Sequence, residues 1–569
     1  MKIRPFNTDH FIGYVSRVAP QYIEIHFPSS GLLKSYNYGG ESFNGGLVGE
    51  FVIVEDERHG FLGKINEVYI LEKERSELSE TTFKNDDFQP VGKVELFLSF
   101  DHFEPFDVKK GLSVFPQVGS KVYVSSPSFV KNYVEKFGVR KGDENFPTVA
   151  LGGLLSNPET KVNVSQQALF GRHCAVVGTT GGGKSWTLSR LIGEVKKNNT
   201  KAIIIDATGE YEKYSEEVTN IKLGADGKYF HYKKLTTDDL FYLLKPSERT
   251  QSPKLLDAVR SLKMVRLSNG KSIRDKKGKE IPIEDGVLKK ENKPIRPYHE
   301  FYFKNVAEIE SNDLNFDIKK LASQVTAECI FQTGRTDNSV FGGRADNDVS
   351  NCVPLISRIN EIIYRSEFNN VFGFQDDSGD SCITKELDEF FANKDGEIIR
   401  IDFSNVKFEF QSREILANAI ANYFLIYARN TGFREKPVVL FVDEAHQFLN
   451  KSIKDEYFLS RPLEAFDLIA KECRKYGLFL CLSTQIPRDI PTGTLSQMGT
   501  FIAHRLINHF DKEAIANACS SANRNSLNFL PILGEGEALM MGVDFPMPLL
   551  IKVDKPEIKP ESDTPKFKL

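Results

Sequence analysis

The chain has 569 residues, 40% hydrophobic and 27% charged, which excludes a fibrous or generally disordered protein. It exceeds the roughly 250–300 residues at which one core stops growing, so several domains are expected. A formal net charge of -4 excludes attraction of nucleic acid by the whole-molecule field, so any DNA contact requires a local patch or a pore.

Cys174, Cys329, Cys352, Cys382, Cys473, Cys481 and Cys519 form no CxxC pair, unlike a disulfide framework or zinc site. Met1 to Asn7 lacks a signal-peptide core, and no apolar run approaches the ~18 residues of a membrane span. A cytoplasmic protein without membrane attachment is expected.

Residues 1–153 read as a small N-terminal β-barrel domain. Short alternating segments at Phe11–Val15, Tyr22–Phe27, Gly49–Glu55, Lys64–Leu71, Lys93–Phe100 and Lys121–Val124 are separated by turn residues, and closure removes their exposed edges. From His173 the pattern becomes strand, glycine turn, helix, strand. This predicts an α/β, RecA-like P-loop core built on a mainly parallel sheet, in residues 154–210 and 396–553. Its strands are expected at His173–Val177, Lys201–Asp206, Ile398–Phe403, Val438–Asp443 and Leu478–Gln485, with Thr500–Leu506 and Pro548–Val553 as possible additions.

Residues 211–395 are rich in helix formers at Thr237–Leu244, Leu255–Leu262, Phe316–Thr333 and Pro354–Tyr364, and read as an inserted helical subdomain. Within it, Arg266–Arg296 carries ten Lys or Arg against five Asp or Glu, the composition of a mobile basic loop. Residues 554–569 alternate Pro with charges, as expected of a tail that is disordered or strapped across a neighbouring subunit.

Gly178-Thr179-Thr180-Gly181-Gly182-Gly183-Lys184-Ser185 has the spacing of a P-loop between an apolar strand and the amphipathic helix Trp186 to Val195. Backbone N–H groups of Gly181 to Ser185 face the anion in that setting, with Trp186 completing the cofactor-binding stretch. Lys184 is expected to neutralise the β- and γ-phosphates of ATP, and Ser185 to ligate Mg²⁺. Val438 to Val442 delivers Asp443, for the magnesium shell, and Glu444, to polarise the attacking water. Because Ile398–Phe403 lies between the two motifs, an ATPase with an extra strand inserted between them is implied. Gln485, at the tip of the following strand, is then the polar sensor.

These motifs resemble the HerA/FtsK group of hexameric DNA-translocating ATPases, and HerA above all. Arg172-His173, Gly178–Ser185, Asp206–Tyr211, Asp443–His446, Arg474–Gly477 and Thr484–Pro487 follow in HerA order, and Leu530–Ala538 resembles the end of the HerA core. The resemblance implies a homo-hexamer with each nucleotide between subunits, double-stranded DNA in the central pore, and Arg172 as the finger completing a neighbour's site. Arg474 is a second catalytic candidate, acting within its own subunit, and Arg505 a third. It further implies a partner effector, a nuclease or sirtuin-like enzyme, docked on the barrel. The chain looks most like bacterial HerA homologues of anti-phage defence. A ring that scaffolds and switches the effector without DNA transport is the alternative.

Overall fold

The computed structural model describes residues 5–71, 88–105, 109–110, 112, 114–135, 137–139, 145–216, 218–225, 227–376, 378–393, 395–449, 463–519 and 524–561. Six strands, β1 (Phe11–Val18), β2 (Ile23–His26), β3 (Phe51–Glu55), β4 (His59–Tyr69), β5 (Val91–Asp101) and β6 (Lys121–Val124), pair antiparallel in the order β2-β1-β6-β3-β4-β5. A further pairing of β2 with β5 closes the ring into a barrel. Alternation along these strands sends Ile12, Val15, Ile25, Val52, Val54, Phe61, Val94 and Val122 inward, where they form one core.

Eleven strands form the second sheet. They are β7 (Thr148–Leu154), β8 (Lys161–Ser165), β9 (Cys174–Val177), β10 (Lys201–Asp206), β11 (Thr219–Lys222), β12 (Ile398–Asp402), β13 (Val438–Val442), β14 (Leu478–Thr484), β15 (Thr500–Ala503), β16 (Glu537–Gly542) and β17 (Leu549–Val553). Their spatial order is β8-β7-β17-β16-β15-β9-β14-β13-β10-β12-β11. The seven strands from β15 to β11 are parallel, and the other four extend the sheet antiparallel.

The unbroken apolar runs of the central strands follow from burial on both faces. In β9, Ala175 and Val177 join the core on one face and Cys174 and Val176 the core on the other. In β13, Val438, Leu440 and Val442 face one way and Val439 and Phe441 the other. The second of these cores also takes in Phe51, Ile53, Leu62 and Phe100 of the barrel, so the barrel packs on that face. Residues of the insertion, among them Leu240, Leu255, Leu355 and Leu387, cover the opposite face.

Four expectations change. The barrel does not run to residue 153, because Gly152 to Leu154 of β7 pair with Ile551 to Val553 of β17 in the core sheet. The helical insertion does not start at 211, because β11 is the edge strand of that sheet. Residues 266–296 are no loose loop. They form two hairpins, Ile273–Arg274 with Glu280–Ile281 and Ile283–Glu284 with Val287–Leu288, and enter the helix Ile295–Lys304. Their charges are partly neutralised locally, by Arg274 with Glu280 at 2.8 Å, Arg296 with Glu300 at 2.7 Å, and a buried pair of Lys290 with Glu328. Finally, the tail from Asp554 to Glu561 packs on the core of the same chain; residues 562–569 fall outside the described part. All seven cysteines are buried, and none forms a disulfide.

The sheet interior holds one fully buried arginine, Arg400 of β12. Its Nε donates to Asp206 Oδ2 at 2.8 Å, Nη1 to Asn220 Oδ1 at 2.7 Å and Nη2 to Asp402 Oδ2 at 2.9 Å. Arg400→Met strands two buried carboxylates, a loss of roughly 3–5 kcal/mol. The denaturation midpoint in urea is expected to fall sharply. A wild-type midpoint would show that Asp206 and Asp402 need no counter-charge.

Candidate active site

The P-loop leaves the C-terminal end of β9 and enters helix α1 (Lys184–Lys197). The helix is buried through Leu188, Leu191, Ile192 and Val195, a spacing that places one apolar stripe against the sheet. Its N-cap is Gly183 at φ 108°, and no side chain caps the first turn. The amides of that turn are therefore directed at an incoming anion.

Two contacts explain why glycine is required. A Cβ on Gly178 would stand 2.6 Å from His504 Cβ, and one on Gly183 would stand 3.0 Å from Gly536 Cα in a left-handed conformation that side chains disfavour. The loop is tied to neighbouring strand ends by its own backbone. Thr179 N–H and hydroxyl both donate to Arg505 O, at 2.9 and 3.1 Å, and Gly536 N–H donates to Gly182 O at 3.2 Å. Lys184 Nζ donates to Thr179 O at 3.2 Å, curling the loop around the ammonium.

Across the loop stand the acids. Asp443 is buried at the end of β13, and Glu444 follows at φ 45°, a left-handed position that a non-glycine residue holds only when its surroundings impose it. Glu210 approaches from the turn after β10. That turn is shaped by Asp206, whose Oδ1 accepts from Gly209 N–H at 2.8 Å and whose Oδ2 accepts from Tyr211 N–H at 3.1 Å.

Burial, then Glu444, Glu210 and Asp206, push the Asp443 carboxyl up to about 8. Burial raises Glu444 and Glu210 as well, and lowers Lys184 against the opposing pull of Glu444, Asp443 and Glu210. Asp443 Oδ2, Glu444 Oε2 and Glu210 Oε2 are buried without a hydrogen-bond partner. Unsatisfied carboxylate oxygens converging beside a phosphate-binding turn fit a hard divalent cation. Ser185 and Asp443 are the residues that would hold magnesium. Among the described residues no cluster of His, Cys, Asp or Glu suffices for a metal alone, so such an ion also needs nucleotide oxygens.

The strand between β9 and β13 in space is β14, not the expected Ile398–Phe403, which lies beyond β10. The substitution leaves Gln485 well placed, since Thr180 Oγ1 donates to Gln485 Oε1 at 2.6 Å. Thus Lys184, Ser185, Asp443, Glu444 and Gln485 converge. Arg172 and Arg474 do not. They precede β9 and β14, at the strand ends away from the P-loop, and line one cleft of about 140 Å³ with Asp544, which accepts from Arg172 Nε at 2.8 Å. Arg172 lies six residues before Gly178, roughly 15–20 Å along extended chain. The expectation that Arg474 serves its own subunit's site fails on the same geometry.

Glu210, His446 and His504 were given no role from sequence. His446 Nδ1 lies 3.2 Å from Glu444 Oε2 and 3.3 Å from Thr484 Oγ1. His504 is fully buried beneath the P-loop. Its Nδ1 bonds Glu537 O at 2.8 Å, and since a carbonyl only accepts, Nδ1 carries the proton and Nε2 accepts from Thr187 Oγ1 at 2.8 Å. Burial holds this imidazole at about 4, so it is neutral near pH 7. It braces α1 against β16. No local motif signals such a residue; its spacing from the P-loop is set by tertiary structure.

Fold and site together define a P-loop ATPase with a RecA-like core. Residues 149–331 match the family described as "Helicase HerA, central domain" and residues 420–553 that described as "Helicase HerA-like C-terminal". These matches span more than half of the chain, which belongs to the HerA-like ATPases. A probable helicase of Methanocaldococcus jannaschii is 27% identical over 433 residues, 72% of this chain and 71% of the relative. The DNA double-strand break repair helicase HerA of Saccharolobus solfataricus is 25% identical over 414 residues, 71% of this chain and 68% of its own. Among solved structures, VirB4 of Thermoanaerobacter pseudethanolicus aligns over 73% of this chain and 98% of its own, at 15% identity and a TM-score of 0.46.

His504→Ala removes the brace and the contact under Gly178. ATP affinity is expected to fall about tenfold, in line with one lost buried hydrogen bond and its packing, as measured by calorimetric titration. Unchanged affinity would mean that the loop keeps its shape without the imidazole.

Proposed function

We propose that the chain is the subunit of a hexameric ring that hydrolyses ATP with Mg²⁺ and draws double-stranded DNA through its central channel for a partner effector enzyme. The observation that carries this reading is the polarity of two adjacent parallel strands. β9 and β14 present Arg172 and Arg474 at one end and the P-loop and Gln485 at the other. Of the three candidate arginines only Arg505 stands at the P-loop end, where its carbonyl accepts from Thr179, while Arg172 and Arg474 are offered at the opposite end, to a neighbour. Head-to-tail association brings the two ends together, and such interfaces generate a closed ring when the rotation closes.

Within each site, Lys184 and the P-loop amides hold the phosphates. Glu444, steadied beside His446, orients and deprotonates the attacking water, and Gln485 hydrogen-bonds the water or the γ-phosphate. Ser185 and Asp443 would hold magnesium, which would neutralise phosphate charge. Arg172 of the neighbour stabilises the charge of the transition state.

The barrel is the proposed docking surface for the effector, a nuclease or a sirtuin-like enzyme acting in defence against phage. Tyr14, Tyr38, Leu47, Val48 and Phe103 are exposed in this N-terminal region, the last at 91%. The defence setting rests on the resemblance to bacterial HerA homologues.

Two experiments test this. Arg172→Ala is expected to cut turnover by roughly 10³-fold while leaving ATP affinity intact. Mixing that variant with Lys184→Ala subunits regenerates wild-type interfaces and should recover activity. Normal turnover in Arg172→Ala, or no recovery on mixing, sinks the intersubunit site. Turnover is also expected to rise with duplex DNA and to lose that response between about 50 and 200 mM salt. Turnover indifferent to DNA but dependent on the effector would replace transport with the scaffold role.

A further inference from the structure

Beyond β17 the chain reads Lys555-Pro556-Glu557-Ile558-Lys559-Pro560-Glu561, and it lies across the outer face of α1. Its two prolines pre-set an extended backbone, which lowers the entropy lost on docking. Each turn of the segment has a receptor on the ATPase core. Asp554 pairs with Lys161 at 3.1 Å and Glu557 with Lys197, at the end of α1, at 2.7 Å. The Ile558 side chain packs on the core that the barrel shares with the sheet, and its carbonyl accepts from Ser189 Oγ of α1 at 2.6 Å. Pro560 is buried. Glu561 pairs with Lys213 at 3.3 Å, and its N–H donates to the carbonyl of Glu210, the acid of the nucleotide site, at 2.8 Å.

Between these anchors, Lys559 Nζ sits over the indole of Trp186, 5.9 Å from the ring centre. Trp186 follows Ser185 in the first turn of α1 and is only partly buried. A triphosphate whose β- and γ-phosphates occupy the amides of Gly181 to Ser185 has its γ-phosphate toward Glu444 and Gln485. Its α-phosphate and nucleoside therefore leave over the first turn of the helix, on the side of Trp186. An indole face at that exit suits a flat heteroaromatic base, and an ammonium held over its other surface fixes the ring's tilt.

We propose that Trp186 is the stacking platform for the base of the bound nucleotide, and that Lys559, delivered by the C-terminal strap, is its positioning residue. This rests on the reading of the P-loop as an ATP site. The strap thereby ties nucleotide affinity to the far end of the chain.

Trp186 is the single tryptophan of the protein, so its fluorescence reports the site directly. In the full-length wild type, titration with a non-hydrolysable ATP analogue is expected to give a saturable change in emission. By calorimetry, Trp186→Ala should weaken the analogue about ten- to hundredfold and Lys559→Ala about three- to tenfold. Trp186→Phe and Lys559→Arg should retain most of the affinity. Inorganic tripolyphosphate, which has no base, should bind wild type and all four variants alike. In steady-state assays the loss should appear in KM with kcat nearly unchanged. If wild type binds neither analogue nor tripolyphosphate, the ATP-site reading itself fails. If wild type binds the analogue and Lys559→Ala binds it equally well, the strap has no part in the site. If Trp186→Ala weakens tripolyphosphate as much as the analogue, the indole supports the P-loop and is no base platform.

Discussion

At the C-terminal edge of a buried parallel sheet, Glu210, Asp443 and Glu444 act on the Lys184 ammonium, with Asp206 beside them against Arg400, four carboxylates in all. Removing so much like charge from water is costly unless each group is paired, and the fold treats the four differently. Asp206 is satisfied twice over, by backbone amides of the turn after β10 and by Arg400. It is a structural acid. Asp443, Glu210 and Glu444 each keep a buried oxygen with no hydrogen-bond partner, that of Glu444 lying 3.2 Å from His446 Nδ1. The three acids are thus held at the P-loop with oxygens to spare, and Arg400 helps to fix the turn that carries Glu210.

The parallel sheet turns this local constraint into a long-range one. β9 and β14 are neighbours, so the two ends of this strand pair are two functional surfaces held at a fixed separation. Each end of β9 is clamped by a neutral histidine. His173, at φ 62°, bonds Ala470 O through Nε2 at 2.9 Å and accepts from Leu480 N–H at Nδ1 at 2.9 Å, and burial holds it at about 4. His504 does the same work at the P-loop end. Both nitrogens of both rings are committed, so neither imidazole is left to turn, and a rigid strand rather than a flexible loop joins the arginine cleft to the P-loop.

What could be read from the sequence follows from where information is local. Strands covered on both faces read as apolar runs, and β9, β10, β12, β13 and β14 emerged within a residue or two. The P-loop and the Asp443-Glu444 pair carry their chemistry in contiguous residues, so their position at strand ends was legible. Spatial order was not: β14, rather than Ile398–Asp402, fills the gap beside β9, because sheet order is set by crossovers that leave no mark in a single segment. Residues 148–153 fall within the expected barrel domain because nothing in the segment Thr148–Leu154 marks which sheet it joins, and only the pairing of β7 with β17 decides. His504 and Arg400 were invisible for the same reason, since a buried polar residue is explained by partners distant in sequence. The tail was misplaced because its composition reads as solvated, while its alternation of Pro, Glu and Ile fits a groove that the sequence does not display.

The nucleotide pocket therefore draws on the whole length of the ATPase core. The P-loop is held by the carbonyl of Arg505 and the amide of Gly536, Glu210 by Asp206 and the strap at Glu561, and Glu444 lies beside His446. A ligand that binds a site assembled from so many separate segments binds the folded state alone, and stabilises it by RT ln(1 + [L]/Kd), about 2.7 kcal/mol at a hundred times Kd. Emptying the pocket removes that support while leaving the unpaired acids in place.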